Sequence, residues 1–305
     1  MKQRLNGLRV GLALCLLALS AWAGGEDPAA VLTGTNIGET TVSARAVDLR
    51  SGEVVMDVNG SRTLIPASNM KLVTSAAALD VLGQDFRFRT ELRLHKAGNQ
   101  TQLVVVGDGD PAFGDRKLLR RHDLDLEPLL TKWVEAVKAQ RVAAVDRLVV
   151  DDRVFDRQFV HPDWPKNQLN RWYCAEVAGL NFNNNCLDTW PRPTRNGRPK
   201  VEIRPVAPFI KTINRARSGG RDTFWIHREP AANQLTFRGR VRRARTEPVH
   251  VTLHDSPRFF ARLFADRLER SDIDVDVAGP VGAGQPRQPG ELIHVVESTL
   301  PAVLG

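Results

Sequence analysis

The sequence predicts an α+β fold, rich in strands, with few and well-separated helices. Three observations predict it. Runs of alternating or β-branched residues, bounded by Gly, Asn and Pro, recur along the chain. Helical spacing of apolar residues is confined to a few stretches, near 67–82, 125–140 and 258–270. No internal repeat or low-complexity tract is present to suggest a solenoid or a disordered array.

The first 23 residues read as an export signal. Lys2, Arg4 and Arg9 form a basic start, residues 10–19 are apolar, and Ala21-Trp22-Ala23 supplies a small-x-small cleavage pattern. The apolar run is too short for a stable membrane span. Cys15 is a poor lipid-attachment site, because bulky Leu14 precedes it. The mature chain is expected to work in the periplasm or otherwise outside the cytoplasm, with at most peripheral contact with a membrane.

Residues 41–60, TVSARAVDLRSGEVVMDVNG, alternate about the turn Arg50-Ser51-Gly52 and read as a hairpin. Asn59-Gly60 marks a second turn. A helix is expected from about Ala67, with Leu72, Val73, Ala76, Leu79 and Val81-Leu82 apolar and Gly83 as its stop. Strand, turn and strand come next, closing in the loop GDGDP at 107–111. After the helix at 125–140, residues 147–155 form a short β-branched strand. Residues 163–185 are irregular and rich in Trp, Tyr and Asn. Strands resume at 200–208 and 233–255. The helix at 258–270 gathers Phe259, Phe260, Leu263, Phe264 and Leu268 on one side. A Gly/Pro-rich connector leads into a final strand, ELIHVVES, and STLPAVLG reads as the first two turns of another helix.

The formal charge is +8, or +5 once the three positives of the signal are removed; arginine (34) far outnumbers lysine (9). The densest basic run, FRGRVRRARTEP at 237–248, reads first as a solvated strand face. Attraction to an anionic wall or membrane surface is the second reading. Nucleic acid is a poor partner for an exported chain. Beyond Cys15 the cysteines are Cys174 and Cys186, an even count that in an oxidising compartment suggests one local disulfide.

The chemistry centres on Ser68 and Lys71. With ten serines and nine lysines, chance supplies roughly 0.3 Ser-x-x-Lys pairs, so the bare motif is weak. Its setting, after Pro66-Ala67 and at the mouth of an apolar helix, is more specific. Residues three apart on a helix share a face. A serine hydroxyl needs a base to become a nucleophile, and a lysine serves only when its proton is removed. Burial, nearby cations and a helix N-terminus all favour the neutral amine. The N–H groups of that terminus can also hold an oxyanion.

PASNMKLVTSAAALDVLGQDFRFRTEL resembles the active-site segment of the class C low-molecular-mass penicillin-binding proteins, the serine-type D-alanyl-D-alanine carboxypeptidases/endopeptidases. The likeness continues through GDGDP, LVVDDRVFD, HPDWPKNQLNRWYCAEVAGLNFNNNC and ESTLPAVLG, in order and at similar spacing. It implies a transpeptidase-like (serine β-lactamase-like) α+β domain, interrupted by a large, mostly β insertion. The catalytic part would cover 24–91 and 289–305, and the insertion 92–288. Ser68 matches the acylated nucleophile and Lys71 its proton acceptor. Tyr173 and Gln168 fall near the family's pocket for the substrate's diamino-acid side chain; Gln168 stands where relatives carry an acid. The implied partners are peptidoglycan stem peptides and cross-links, with β-lactams as covalent ligands. No cofactor or metal is implied.

The family mechanism also uses Ser-x-Asn and Lys-Thr-Gly. Neither occurs downstream of Ser68, and Lys211-Thr212-Ile213 lacks the glycine. The chain is therefore expected to be C-terminally truncated and impaired. A catalytically inert module that binds peptidoglycan or a partner is the rival reading. A β-lactamase is a third, disfavoured by the long β-rich insertion. His161, His254 and His294 show no metal spacing and read as isolated structural histidines. GDGDP lacks the twelve-residue calcium-loop pattern. Asp151-Asp152 reads as a turn or cap rather than a catalytic acid pair.

Overall fold

The structure is a computed structural model of the 305-residue chain. It describes residues 29, 30, 34, 39–195, 197–281 and 290–305. The expected signal at 1–23 and the expected insertion boundary at 288/289 lie outside these residues. The chain divides into two compact units, Met1–Ala76 and Ala77–Gly305.

In the first unit, β1 (Ala44–Val47) and β2 (Val54–Val58) form the expected antiparallel hairpin, with a bulge at Ala46/Val47. Its turn is closed by Asp48, whose carboxylate accepts from the N–H groups of Arg50 (2.7 Å) and Ser51 (2.9 Å). A 3-10 turn at Ala67–Asn69 runs directly into helix α1 (Met70–Leu82), which crosses the division at Ala76/Ala77, and Gly83 ends it with a φ of +83°. No residue of α1 is buried.

The second unit is built on a five-stranded sheet. Its strands are β3 (Arg87–Ala97), β4 (Gln100–Val106), β5 (Ala144–Asp151), β14 (Asp274–Pro280) and β15 (Glu291–Thr299). The order is β14-β5-β4-β3-β15. β3 and β4 are joined by the two-residue turn Gly98-Asn99, and Gly98 supplies the positive φ such hairpins require. β4 pairs with β5, and β5 with β14, in parallel. β15 pairs with β3 antiparallel along its length, so the expected boundary at 91/92 falls inside a paired strand.

The core lies between this sheet and two helices, α3 (Leu126–Ala139) and α4 (Ser256–Glu269); the short α2 (Arg116–Arg120) precedes them. α3 buries Leu126, Leu129, Leu130, Trp133, Val134 and Val137, a single stripe at helical spacing. α4 buries Phe259, Phe260, Leu263, Phe264 and Leu268. Trp133 meets Phe260 and Phe264 edge-on at 5.6 Å, and Phe182 meets Phe260 at 5.0 Å. These rings fix the helices on the sheet.

Smaller sheets surround this layer. β6 (Cys186–Arg192) lies between β13 (Val249–Thr252) and β7 (Lys200–Arg204), both antiparallel to it. β11 (Gln234–Arg238) lies between β10 (Trp225–Arg228) and β8 (Lys211–Asn214). β9 (Arg217–Ser218) pairs in parallel with β12 (Arg240–Val241). Lys211-Thr212-Ile213 is thus ladder backbone in β8. The chain ends in α5 (Leu300–Leu304), capped by the Thr299 hydroxyl. Among the described residues no helix is long and apolar enough to cross a membrane.

The GDGDP loop serves as a tie between strand ends. Asp108 accepts from the Arg89 N–H at 2.6 Å, and Asp110 accepts from the Ser298 hydroxyl of β15 at 2.7 Å. Burial raises both carboxyls above the ordinary range. The loop packs against Gly179, where a Cβ would stand 2.0 Å from the Asp152 carbonyl oxygen. Gly179→Ala should therefore force the backbone apart and cost about 1–3 kcal/mol. Chemical denaturation followed by tryptophan fluorescence checks this; an unchanged midpoint would show that the approach is not tight.

Candidate active site

Pro66 stands at the N-terminal cap of the Ala67–Asn69 turn, and no side chain caps it. Ala67 adopts a φ of +45°, in the left-handed region. That conformation costs a β-carbon-bearing residue about 1–2 kcal/mol. Backbone strain of this kind concentrates where a side chain has to be aimed. Here it sits immediately before Ser68. Beyond Ala67 the 3-10 turn runs directly into α1, so Ser68 and Lys71 stand three residues apart on one helical segment and share a face.

The pair is open to solvent: Ser68 and Lys71 are both exposed. Among the described residues, neither the Ser68 hydroxyl nor the Lys71 ammonium has a hydrogen-bond or ion-pair partner, and no bond joins the two. The helix behind them carries apolar residues on every side, yet Leu72 is 73% and Val81 78% exposed. The spacing is that of a nucleophile and its base. The desolvation that acyl transfer requires is not supplied within the described residues.

Gln168 and Tyr173 lie on two neighbouring 3-10 turns, Lys166–Gln168 and Trp172–Cys174. Gln168 is half-buried; Tyr173 is exposed and meets Trp172 edge-on at 5.8 Å. The expected disulfide is absent. Cys174 and Cys186 are separate, buried free thiols. Burial, with Asp188 nearby, pushes the Cys186 thiol up to about 12, so it is no nucleophile. The excursion between the cysteines is closed instead by asparagines. Asn185 donates to the Glu176 carbonyl (2.8 Å) and to the Asn181 amide oxygen (2.7 Å), which itself accepts from the Ala178 N–H (3.1 Å). Asn183 donates to the Cys186 carbonyl at 2.8 Å.

The second unit carries an open cavity of about 1460 Å³, with Arg116, Trp172, Glu176, Asp188, Trp190 and His250 in its lining. Neither Gln168 nor Tyr173 lines it. Within it, Arg116 is held by two carboxylates. Its guanidinium bonds Asp125 through two nitrogens (2.9 and 3.0 Å) and Asp188 through a third (3.1 Å). It also lies 5.2 Å from the Trp190 ring centroid. The bond from Arg116 holds the Asp125 carboxyl below its ordinary range.

His254, expected to be isolated, is paired here, and so is His250. His250 lies 2.7 Å from Asp188, and His254 lies 2.9 Å from Glu176, which also accepts the Asp255 N–H. Asp152 is buried beneath Arg157 (2.7 Å), which reaches on to Asp255 (2.9 Å). Burial raises the Asp152 carboxyl, while Arg157 opposes that shift. Asp151 pairs with Arg153. Both aspartates are thus held in ion pairs with nearby arginines. Sequence spacing gave no signal for these pairs, because the partners of His250 and His254 lie 62 and 78 residues away.

The hydrogen bond to Asp188 raises His250 above its ordinary 6.5. A histidine raised in the folded state contributes stability that is complete below 6.5 and fades as pH rises through the raised value. Asp188→Asn should return the His250 titration toward 6.5, as read by NMR of the ring protons. A midpoint unmoved by the substitution would remove Asp188 as the cause.

The sequence model of the D-Ala-D-Ala carboxypeptidase 3 (S13) family matches residues 28–302. A D-alanyl-D-alanine carboxypeptidase of Actinomadura sp. (strain R39) is 30% identical over 275 residues, covering 85% of this chain and 48% of that protein. The crystal structure of penicillin binding protein 4 (dacB) from Haemophilus influenzae superposes with a TM-score of 0.65 at 22% identity, covering 85% of this chain and 57% of that one. A second structure of the same protein, complexed with a novel beta-lactam, superposes with a TM-score of 0.57 at 21% identity, over 86% of this chain and 56% of that one. The two structures share its fold. The chain spans about half the length of the relatives it matches.

Proposed function

The chain belongs to the D-Ala-D-Ala carboxypeptidase 3 (S13) family, and from that premise we propose that Ser68 is the acyl-accepting serine of a peptidoglycan peptide hydrolase. The observation that carries this reading is Ser68 and Lys71 one turn apart at the mouth of a helix, behind a strained Ala67. Lys71 takes the hydroxyl proton as the serine oxygen bonds the carbonyl carbon between two D-alanines, or of a cross-link. The amide C–N bond then breaks, and the amine departs with that proton. Water cleaves the resulting ester and restores the hydroxyl. Backbone N–H groups at the start of this helical segment are proposed to receive the oxyanion. β-Lactams would acylate the same oxygen.

Export fits this substrate, and the features of residues 1–23 support it. Gln168 and Tyr173 are proposed to face the peptide, and 92–288 is proposed to be an insertion within the transpeptidase-like domain. The reaction also calls on Ser-x-Asn and Lys-Thr-Gly groups. Neither motif lies in the sequence after Ser68. We infer that these 305 residues alone acylate poorly.

A second reading is a catalytically inert module that binds peptidoglycan through the second unit. The exposed, unbonded state of the Ser68–Lys71 pair and the open cavity around Arg116 favour it. Fluorescent penicillin and release of D-alanine from a pentapeptide separate the readings. The hydrolase reading expects weak labelling that disappears in Ser68→Ala. Labelling that survives the substitution places the acyl group elsewhere, and no labelling with retained binding to purified sacculi supports the inert module.

A further inference from the structure

The basic run singled out in the sequence is assembled by the fold into a surface. β9 and β12 pair in parallel with Arg217 opposite Arg240. The Thr223 N–H donates to the Arg240 carbonyl at 3.0 Å, folding the 219–223 turn against β12. A Cβ on Gly220 would stand 3.0 Å from the Arg240 side chain. Asp222 accepts from the N–H of Arg242 at 2.6 Å, and Arg242 and Arg245 act on its charge. Arg217, Arg221, Arg240, Arg242, Arg243 and Arg245 thus share one small region, and all six are exposed. The Ser218 N–H donates to the Gly197 carbonyl at 2.8 Å, which brings the loop bearing Arg195 and Arg198 to the same edge.

Asp222 is the acid these contacts place among them, and backbone N–H groups hold it. None of the six guanidiniums forms an ion pair among the described residues. Like charges at this density repel one another and raise the energy of the free surface. A partner carrying closely spaced negative charge relieves that repulsion.

The neighbouring sheet supplies an apolar element. Trp225 is 48% exposed and stands opposite Arg238, whose guanidinium lies 5.7 Å from its ring centroid. Ile213 of β8 is 38% exposed on the same sheet. An indole beside arginines suits the layer between lipid headgroups and acyl chains. Nucleic acid phosphates would meet the charge but leave Ile213 without a use.

We propose that this arginine face docks the protein on anionic phospholipid headgroups, with Trp225 and Ile213 entering the interfacial layer. The proposal does not depend on the chemistry of Ser68. Each arginine near a charged bilayer adds roughly fivefold to partitioning, so removing four costs on the order of six hundredfold. Binding also falls steeply with salt.

The test is co-sedimentation of the full chain with vesicles of phosphatidylcholine alone or mixed with about 30% phosphatidylglycerol, at low and high salt. Residues 1–23 are common to every variant and cancel in the comparison. The expected result is salt-sensitive binding to the anionic vesicles. It should be lost in the fourfold variant Arg240→Gln, Arg242→Gln, Arg243→Gln and Arg245→Gln, retained when the same four positions become Lys, and weakened by Trp225→Ala. Circular dichroism checks that each variant is folded. If the fourfold Gln variant misfolds, the same salt and lipid comparison is made with Arg217→Gln and Arg221→Gln. Equal binding to neutral vesicles, unchanged binding of the folded Gln variant, no binding at all, or competition by soluble polyphosphate with no shift for Trp225→Ala would each overturn the proposal.

Discussion

Everything proposed for Ser68 depends on how Lys71 is solvated. A lysine removes a hydroxyl proton only where water no longer stabilises its ammonium. The 3-10 turn and helix α1 together bring the two residues to the right spacing but leave both exposed. The helix itself carries apolar residues around its whole circumference, a pattern that belongs to the interior of a protein. Exposed leucine and valine on all sides are costly to hold in water, by about 1.5–3 kcal/mol for each large side chain that could be buried. The same covering surface that would recover this energy would also dry the amine. On the proposed chemistry, burial of α1 and removal of water from Lys71 would go together.

The second unit shows the opposite arrangement. Its charged groups are matched at close range: Arg116 with Asp125 and Asp188, Arg157 with Asp152 and Asp255, and Glu176 with His254. Such networks hold geometry more than they add stability, since desolvation offsets much of the attraction. They fix the N-terminus of α4, the asparagine-closed loop and the wall of the cavity relative to one another. The arginine face is the exception, with many cations and little acid. A matched interior beside an unmatched surface separates the residues that build the scaffold from those free to meet a partner.

The sequence was legible wherever structure is local. The hairpin about Arg50–Gly52, the helix ending at Gly83, the α4 aromatic stripe and the capped turn at Thr299 arise from neighbouring residues alone. The parallel pairing of β4, β5 and β14 was not legible, because crossovers through helices leave no mark in the strands themselves. β14 was missed altogether, its alternating DVDVAGP being masked by the Gly/Pro connector beside it. The histidine–carboxylate pairs were hidden by sequence distance. The cysteines misled for a different reason. An even count says nothing about whether other bonds already close the loop, and Asn181, Asn183 and Asn185 do so. The spacing of Ser68 and Lys71 was readable because it spans one turn of a local helical segment.

Hydrogen–deuterium exchange of the chain by itself addresses the central claim most directly. If α1 is uncovered, the amides of residues 73–82 exchange orders of magnitude faster than those of α3, whose Trp133 face is fully buried. Protection of α1 equal to that of α3 would mean that the helix is already enclosed, and that the exposure of Lys71 does not limit its chemistry.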